Sequence, residues 1–216
     1  MTGQLSLDPA RTAVLSMDLQ AFLIPQFARD AEGLMARVAA VQGHARTLGI
    51  RVMHVRMGFR PGLPEINDRN AIFAAVKNNP KHWQAFAGEA GAIHRAGAPV
   101  GDEVVITKHR ISAFAGTDLE MILRASGIET LMLFGILTSG VVLASLLDAV
   151  DLDFRVAAIH DCCADRNPEV HACLVEKVFP HYATVLSAGE FLDLEAGAGN
   201  GQANREETRA PGEGNQ

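Results

Sequence analysis

Several absences narrow what this 216-residue chain can be. It has no uninterrupted apolar stretch of about 18 residues, which argues against a membrane-spanning helix. It has no Lys/Arg run, and its formal net charge is −6. A nucleic-acid binder would show a basic surplus, so no nucleic-acid partner is expected. The opening Met1–Asp8 carries neither the basic start nor the apolar block of a secretory signal. Its three cysteines, the adjacent Cys162 and Cys163 and the separate Cys173, match neither a disulfide framework nor a metal-ligand spacing. The Gly-Ala-Gly-Asn-Gly stretch at 197–201 follows no strand-to-helix junction, so a dinucleotide or phosphate loop is not expected. There is no internal repeat. The expectation is a reduced, cytoplasmic protein with no membrane or nucleic-acid partner and no cofactor.

What is present is a globular composition, 48% hydrophobic and 20% charged, able to bury one sizeable core. Six short aliphatic runs punctuate the chain: Ala13–Met17, Ile50–Val55, Glu103–Thr107, Thr130–Ile136, Phe154–Ile159 and Ala183–Leu186. Several are apolar almost throughout, the pattern of parallel strands covered on both faces. Helix-period segments lie between them. Glu32 to Leu48 puts Leu34, Val38, Val41 and Ala45 on one stripe and stops at Gly49. Thr117-Asp-Leu-Glu120 has capping-box spacing ahead of a helix ending near Gly127. Two further helices are expected over Ser139–Val150 and Pro168–Phe179, the second with Pro168 behind an Asn167 cap. The alternation predicts a three-layer α/β/α domain with a six-stranded, mainly parallel sheet over residues 1–196, followed by a disordered tail, 197–216. Residues 58–102 break the rhythm around a weak helix containing Ile72, Phe73 and Val76. They read as an excursion over the C-terminal edge of the sheet, where α/β proteins bind ligands.

Three strand ends carry chemistry-bearing residues: Asp18 after the first strand, Lys108 after the third, and the strand-turn-helix from Gly135 to Ala149. In a parallel sheet all three converge on one rim. A carboxyl and an amine brought together there perturb each other's proton affinity and can serve proton transfer. The alternative is that Asp18 merely caps a turn and Lys108 is a surface residue.

These positions resemble the isochorismatase-like superfamily, also called cysteine hydrolases, from Asp18 through about Ala183. The resemblance rests on the Asp after the first strand, on Thr107-Lys-His-Arg-Ile-Ser-Ala-Phe-Ala-Gly-Thr-Asp-Leu119, and on a Gly-x-x-Thr stretch that ends in Asp148-Ala149. It implies catalytic roles for Asp18 and Lys108, the superfamily's fold and a homodimer or homotetramer. The apolar run Leu131–Leu147 fits a segment buried by both sheet and partner. Amide-cleaving members place their nucleophilic Cys six residues after the Gly and seven before the Asp, which here is Val141. Valine has no lone pair with which to attack a carbonyl. Thr138 and Ser139 either cap the helix start or offer hydroxyls in its place, and Cys162 or Cys163 is either a structural thiol or one that reaches the rim. The Asp-x-His-x-His metal set of the nicotinamidases has no counterpart, so no catalytic metal is expected. His54, inside a strand, reads as a hydrogen-bonded core residue.

Isochorismatases also lack the Cys, and resemblance to them implies a reaction without a nucleophile: an acid protonates the methylene carbon of a vinyl ether, water adds and the hemiketal collapses. Asp18 would be that acid, with Lys108 as electrostatic partner. Gln20, Arg60, Trp83, Thr138, Ser139 and Gly140 are the expected contacts to a small anionic substrate, although Gln20 reads equally as a turn residue. Three functions follow as expectations: a hydrolase working by Asp/Lys acid–base chemistry, an amide or ureide hydrolase with a displaced thiol, or a catalytically silent small-molecule-binding homologue.

Overall fold

The computed structural model describes residues 7–195 apart from Gly88. The tail predicted over 197–216 and the first six residues lie outside the described residues. Six parallel strands form one sheet: β1 (Thr12–Met17), β2 (Arg51–Met57), β3 (Val105–Lys108), β4 (Thr130–Gly135), β5 (Arg155–Ile159) and β6 (Thr184–Leu186), in the order β3-β2-β1-β4-β5-β6. Besides a single helical turn at Ile24–Phe27, the α-helices are α1 (Ala31–Thr47), α2 (Ala71–Lys77), α3 (Pro80–Ala87), α4 (Leu119–Ala125), α5 (Leu143–Asp151), α6 (Pro168–Cys173) and α7 (Ala188–Leu192). No described helix is long and apolar enough to cross a membrane.

The expected α/β architecture is therefore the observed one. Every residue of β1 and of β4 is buried, as central strands flanked on both sides must be. α1 starts where the Asp30 carboxylate accepts the Gly33 N–H at 2.9 Å, presents Leu34, Val38, Val41 and Ala45 to the sheet, and ends before Gly49, whose φ of 75° favours glycine. Pro168 does stand at the start of α6 behind an Asn167 cap.

Other boundaries moved. β3 begins at Val105 rather than Glu103 because the backbone there still closes a turn, the Glu103 N–H donating to the Val100 carbonyl at 3.3 Å, and the Glu103 side chain is engaged elsewhere. It takes a two-pronged contact from Arg46 at 2.7 and 3.0 Å, the Val100 N–H at 2.9 Å and the His54 ring at 2.9 Å. The Thr117 capping box does not form: the Thr117 oxygen accepts the Leu119 N–H at 3.3 Å in place of the Glu120 N–H, while its hydroxyl donates to the Ala113 carbonyl at 2.7 Å. A capping box is found instead at Ser187 and Glu190, ahead of α7. The helix predicted over Ser139–Val150 opens with a π-helical turn, Thr138–Val142, in which Gly140 leaves helical geometry (φ −107°, ψ −105°). The one predicted to Phe179 likewise gives way to a π-helical turn at Leu174.

His54 is fully buried, as a core histidine should be. Burial, only partly offset by Glu103, lowers its proton affinity from the ordinary 6.5. Glu103 is held at about 2: burial opposes, but the bonds from Arg46, His54 and Val100 outweigh it. Both groups bind protons more weakly in the folded chain than in the unfolded one, so both contributions to stability shrink on acidification. The His54 part declines as pH falls below 6.5, and the Glu103 part between its ordinary 4.5 and about 2. Thermal melts followed by circular dichroism should therefore show a midpoint that falls from pH 7 to pH 4, with a shallower decline below pH 4.5 in Glu103→Gln.

The strand order reverses direction at the β1/β4 boundary, the place where open parallel sheets leave a crevice at their carboxyl ends. The 58–102 excursion does fold back over this edge. Gln20 bridges to Ile93, the Ala21 N–H donates to the Ala92 carbonyl at 3.0 Å, and the His94 N–H to the Leu19 carbonyl at 2.8 Å. α2 and α3 pack into two small apolar clusters, one built on Val76 and Phe86 with Leu23 from the segment after β1, the other on Leu63, Ile66 and Phe73.

Candidate active site

β1 ends by setting Asp18 at the carboxyl rim of the sheet in a left-handed conformation, φ 54°, which short polar residues tolerate better than most. The turn is pinned by the Asp18 N–H donating to the Val55 carbonyl at 2.8 Å. Across the boundary Gly135 ends β4 opposite Met17. Its φ is 148°, and a Cβ there would lie 2.0 Å from the Met17 carbonyl oxygen, so only glycine allows the two strand ends to approach this closely.

Lys108 is the last residue of β3, two strands away from β1, a span of about 10 Å. Its side chain crosses β2 and places Nζ 2.8 Å from Asp18 Oδ2, with a second hydrogen bond at 3.0 Å to the Arg110 carbonyl. Lys108 is 0% and Asp18 5% exposed. The structure thus brings together the two residues the strand-end argument singled out, and neither is a surface residue. The other carboxylate oxygen, Asp18 Oδ1, is buried and has no hydrogen-bond partner among the described residues. Two effects oppose each other on this carboxyl. Burial raises its proton affinity above the ordinary value of 3.8, while the charge and hydrogen bond of Lys108 lower it; burial prevails. A buried acid that holds its proton more tightly than usual, beside an amine, can donate that proton and take one back.

The turn after β4 carries the remaining predicted positions. Val141 is buried at 3% exposure within the main core. Neither neighbouring hydroxyl caps the helix in the expected way. Thr138 Oγ1 lies 2.8 Å from His171 Nδ1, and the Ser139 hydroxyl and N–H both donate to Asp165 Oδ2, at 2.6 and 2.8 Å. Asp165, not Ser139, therefore caps this helix start. Asp165 was open to the same strand-end argument as Asp18, since it follows β5 in His160-Asp-Cys-Cys-Ala-Asp165. His171, on α6, had no local signal.

Gln20 is fully buried and acts as a brace. Its amide nitrogen donates to the Met57 and Gly91 carbonyls at 3.1 and 2.7 Å, and its oxygen accepts the Met57 N–H at 2.9 Å. Those bonds occupy the amide in tying β1, β2 and the excursion together. Trp83 packs beside the two small apolar clusters of the excursion, and Arg60 pairs with Glu65 at 2.7 Å.

Cys162 and Cys163 are both buried. Burial pushes both thiols up, Cys163 to about 12, and Cys163 Sγ donates to the Ile159 carbonyl at 3.4 Å. A thiol so far from ionising is a poor nucleophile near neutral pH. Iodoacetamide applied to the native protein at pH 8 should therefore label the exposed Cys173 alone, seen as a single adduct in intact-mass spectra, with all three thiols reacting after denaturation. Among the described residues no group of three or more His, Cys, Asp or Glu side chains is arranged to hold a metal ion.

Comparison with known proteins places this geometry. Residues 12–190 match the isochorismatase domain. The chain is 30% identical over 182 residues to the maleamate amidohydrolase of Pseudomonas putida, covering 82% of this chain and 83% of that protein. It is 31% identical over 168 residues to a "probable inactive nicotinamidase" of Arabidopsis thaliana, covering 74% and 84%. The structure of a cysteine hydrolase from Pseudomonas syringae pv. phaseolicola superposes with a TM-score of 0.77 at 20% identity, covering 89% of this chain and 97% of that one. With the domain matched over most of its length and an Asp–Lys pair set at the carboxyl ends of a six-stranded parallel sheet, this chain belongs to the isochorismatase family of hydrolases.

Proposed function

We propose that the chain hydrolyses a small anionic metabolite by acid–base chemistry at Asp18 and Lys108, without a covalent enzyme intermediate, on a vinyl ether of the kind isochorismatases cleave. The observation that carries this reading is the buried pair at 2.8 Å with a free carboxylate oxygen beside it. Removing two such groups from water costs several kcal/mol, and a scaffold that only binds has no chemical need to keep both. The raised proton affinity of Asp18 supports the acid role, and Val141 leaves no nucleophile at the position where amide-cleaving relatives have one.

In this reading the Asp18 carboxyl gives its proton to the terminal methylene carbon, and the ether oxygen shares the resulting positive charge as an oxocarbenium ion. Water adds to the oxygen-bearing carbon of that ion, and the Asp18 carboxylate takes up the proton the water loses. Asp18 returns that proton to the ether oxygen as the C–O bond breaks and receives the hydroxyl proton as the carbonyl forms, releasing a ketone and an alcohol. Lys108 faces the anionic carboxylates, Asp18 once it has given up its proton and that of the substrate. Pyruvate release from isochorismate, followed by a coupled assay, tests the narrow form. Turnover that is lost in Asp18→Asn and retained in Cys162→Ala and Cys163→Ala supports the proposal, whereas turnover abolished by alkylation points to a displaced thiol. No pyruvate at high enzyme concentration eliminates isochorismate as the substrate.

A silent, small-molecule-binding role is the second reading, favoured by Val141 and by the description of the Arabidopsis relative as inactive. Its test is Val141→Cys. Ammonia release from maleamate by that variant, with no hydrolysis of either compound by the parent, would show a pocket preserved without its chemistry.

A further inference from the structure

Apart from the Asp18–Lys108 pair, an open groove of about 600 Å³ lies between the loop leading into α2 and the residue Arg110, its lining including Glu65, Asn67, Arg69, Asn70 and Phe73. Its polar groups are held in place by the protein. The Arg110 guanidinium donates to the His109 and Glu65 carbonyls at 2.7 and 3.0 Å and lies 5.5 Å from the centre of the Phe73 ring. Asn67 Oδ1 accepts the Arg69 N–H at 2.9 Å and its Nε at 3.3 Å, while the two terminal nitrogens of Arg69 have no hydrogen-bond partner among the described residues. The Glu65 side chain is about nine-tenths buried. Its Oε1 takes the Arg60 guanidinium at 2.7 Å, but its Oε2 is buried with no partner among the described residues. Burial favours the neutral acid, yet its own backbone N–H and those of Arg60 together hold the Glu65 carboxyl below the ordinary range. It is therefore an anion with one unanswered acceptor atom.

An unpartnered buried carboxylate oxygen calls for an N–H donor, and an arginine with open terminal nitrogens calls for a carboxylate. We infer that this groove binds a small zwitterion whose carboxylate meets Arg69 and whose ammonium group meets Glu65. The inference does not depend on the proposed hydrolysis. The groove and the pair share one residue, since the Arg110 carbonyl is the second acceptor for Lys108 Nζ.

Calorimetric titration of the full chain with glycine, β-alanine and γ-aminobutyrate tests the idea, with propionate and propylamine as controls that each lack one of the two charges. At least one amino acid should bind at one site per chain, about tenfold or more tighter than either control. Glu65→Gln and the exposed Arg69→Gln should each weaken it by a similar factor, while Asp18→Asn leaves it within about twofold. If Glu65→Gln does not fold, Arg69→Gln decides. Absence of heat from all three amino acids, equal binding of a control, or an affinity untouched by Arg69→Gln would overturn the inference. Loss of binding in Asp18→Asn would do so too, because it would place the ligand at the other site. Turnover is not measured, so failure here leaves the hydrolase reading intact.

Discussion

Asp18→Asn is expected to lower turnover by about 10²–10⁴-fold, the usual share of a positioned general acid–base, while leaving the sheet and the Lys108 position in place. Asparagine has nearly the same shape and can still accept a hydrogen bond from Nζ, now 2.8 Å from Oδ2, but it has no proton of suitable acidity to give. The loss should fall on kcat more than on KM, because the group acts on the reacting carbon and not on substrate anchoring. The profile of kcat/KM against pH adds a second readout. Burial keeps Asp18 protonated to higher pH than an ordinary aspartate, so wild-type activity should decline on the alkaline side as this acid ionises. Residual activity in the variant should not follow that limb. An Asp18→Asn protein with turnover within threefold of wild type would remove the carboxyl from the chemistry.

The second large effect concerns stability. Lys108→Met leaves a buried carboxyl without its counter-charge, with one oxygen already unpartnered and the other deprived of its amine. Breaking one side of a buried pair costs about 3–5 kcal/mol, whereas replacing both sides with apolar groups of similar volume is often neutral. Lys108→Met should therefore be destabilised by about that amount at pH 8, and Asp18→Leu/Lys108→Met should recover much of it. The sign of the pH effect can be worked out. Without the lysine, the folded-state proton affinity of Asp18 rises further above its unfolded value, so the folded chain binds the proton more readily. The deficit relative to wild type must then shrink as pH falls and the carboxyl neutralises. Urea unfolding at pH 8 and pH 5 checks both points. A single variant as stable as wild type, or a deficit that grows toward pH 5, would mean that the pair is not a coupled buried unit.

Much of this was legible in the sequence because the strands are dense in aliphatic residues and their order of appearance dictates a parallel sheet. The same logic located Asp18 and Lys108, as parallel strands deliver their carboxyl ends to one rim whatever lies between them. What escaped was set by side chains that leave their own element. Glu103 reads as the start of a strand, yet it is drawn off by Arg46, which lies far away in the chain on α1. Gln20 has the type and position of a substrate contact, and only the fold shows the carbonyls of Met57 and Gly91 within its reach. Thr117 and Glu120 have the spacing of a capping box, but the Thr117 oxygen takes the nearer Leu119 N–H. Trp83 reads as a ring for a ligand, and only the fold shows the apolar residues of the excursion and of the segment after β1 that it packs beside. Polar side chains with several partners within range are decided by tertiary geometry, whereas period and composition decide the sheet.

β3 is bordered by a single neighbour, β2, and is only four residues long. It nevertheless supplies the amine that keeps a buried acid in check on a strand two places inward. A marginal ribbon that peels away more easily than the centre of a sheet would carry Lys108 off with it and leave Asp18 alone while most of the core stayed packed. On the proposed function, turnover and native structure would be separable: fraying along one border of the sheet would part Lys108 from Asp18 and silence the first without dissolving the second.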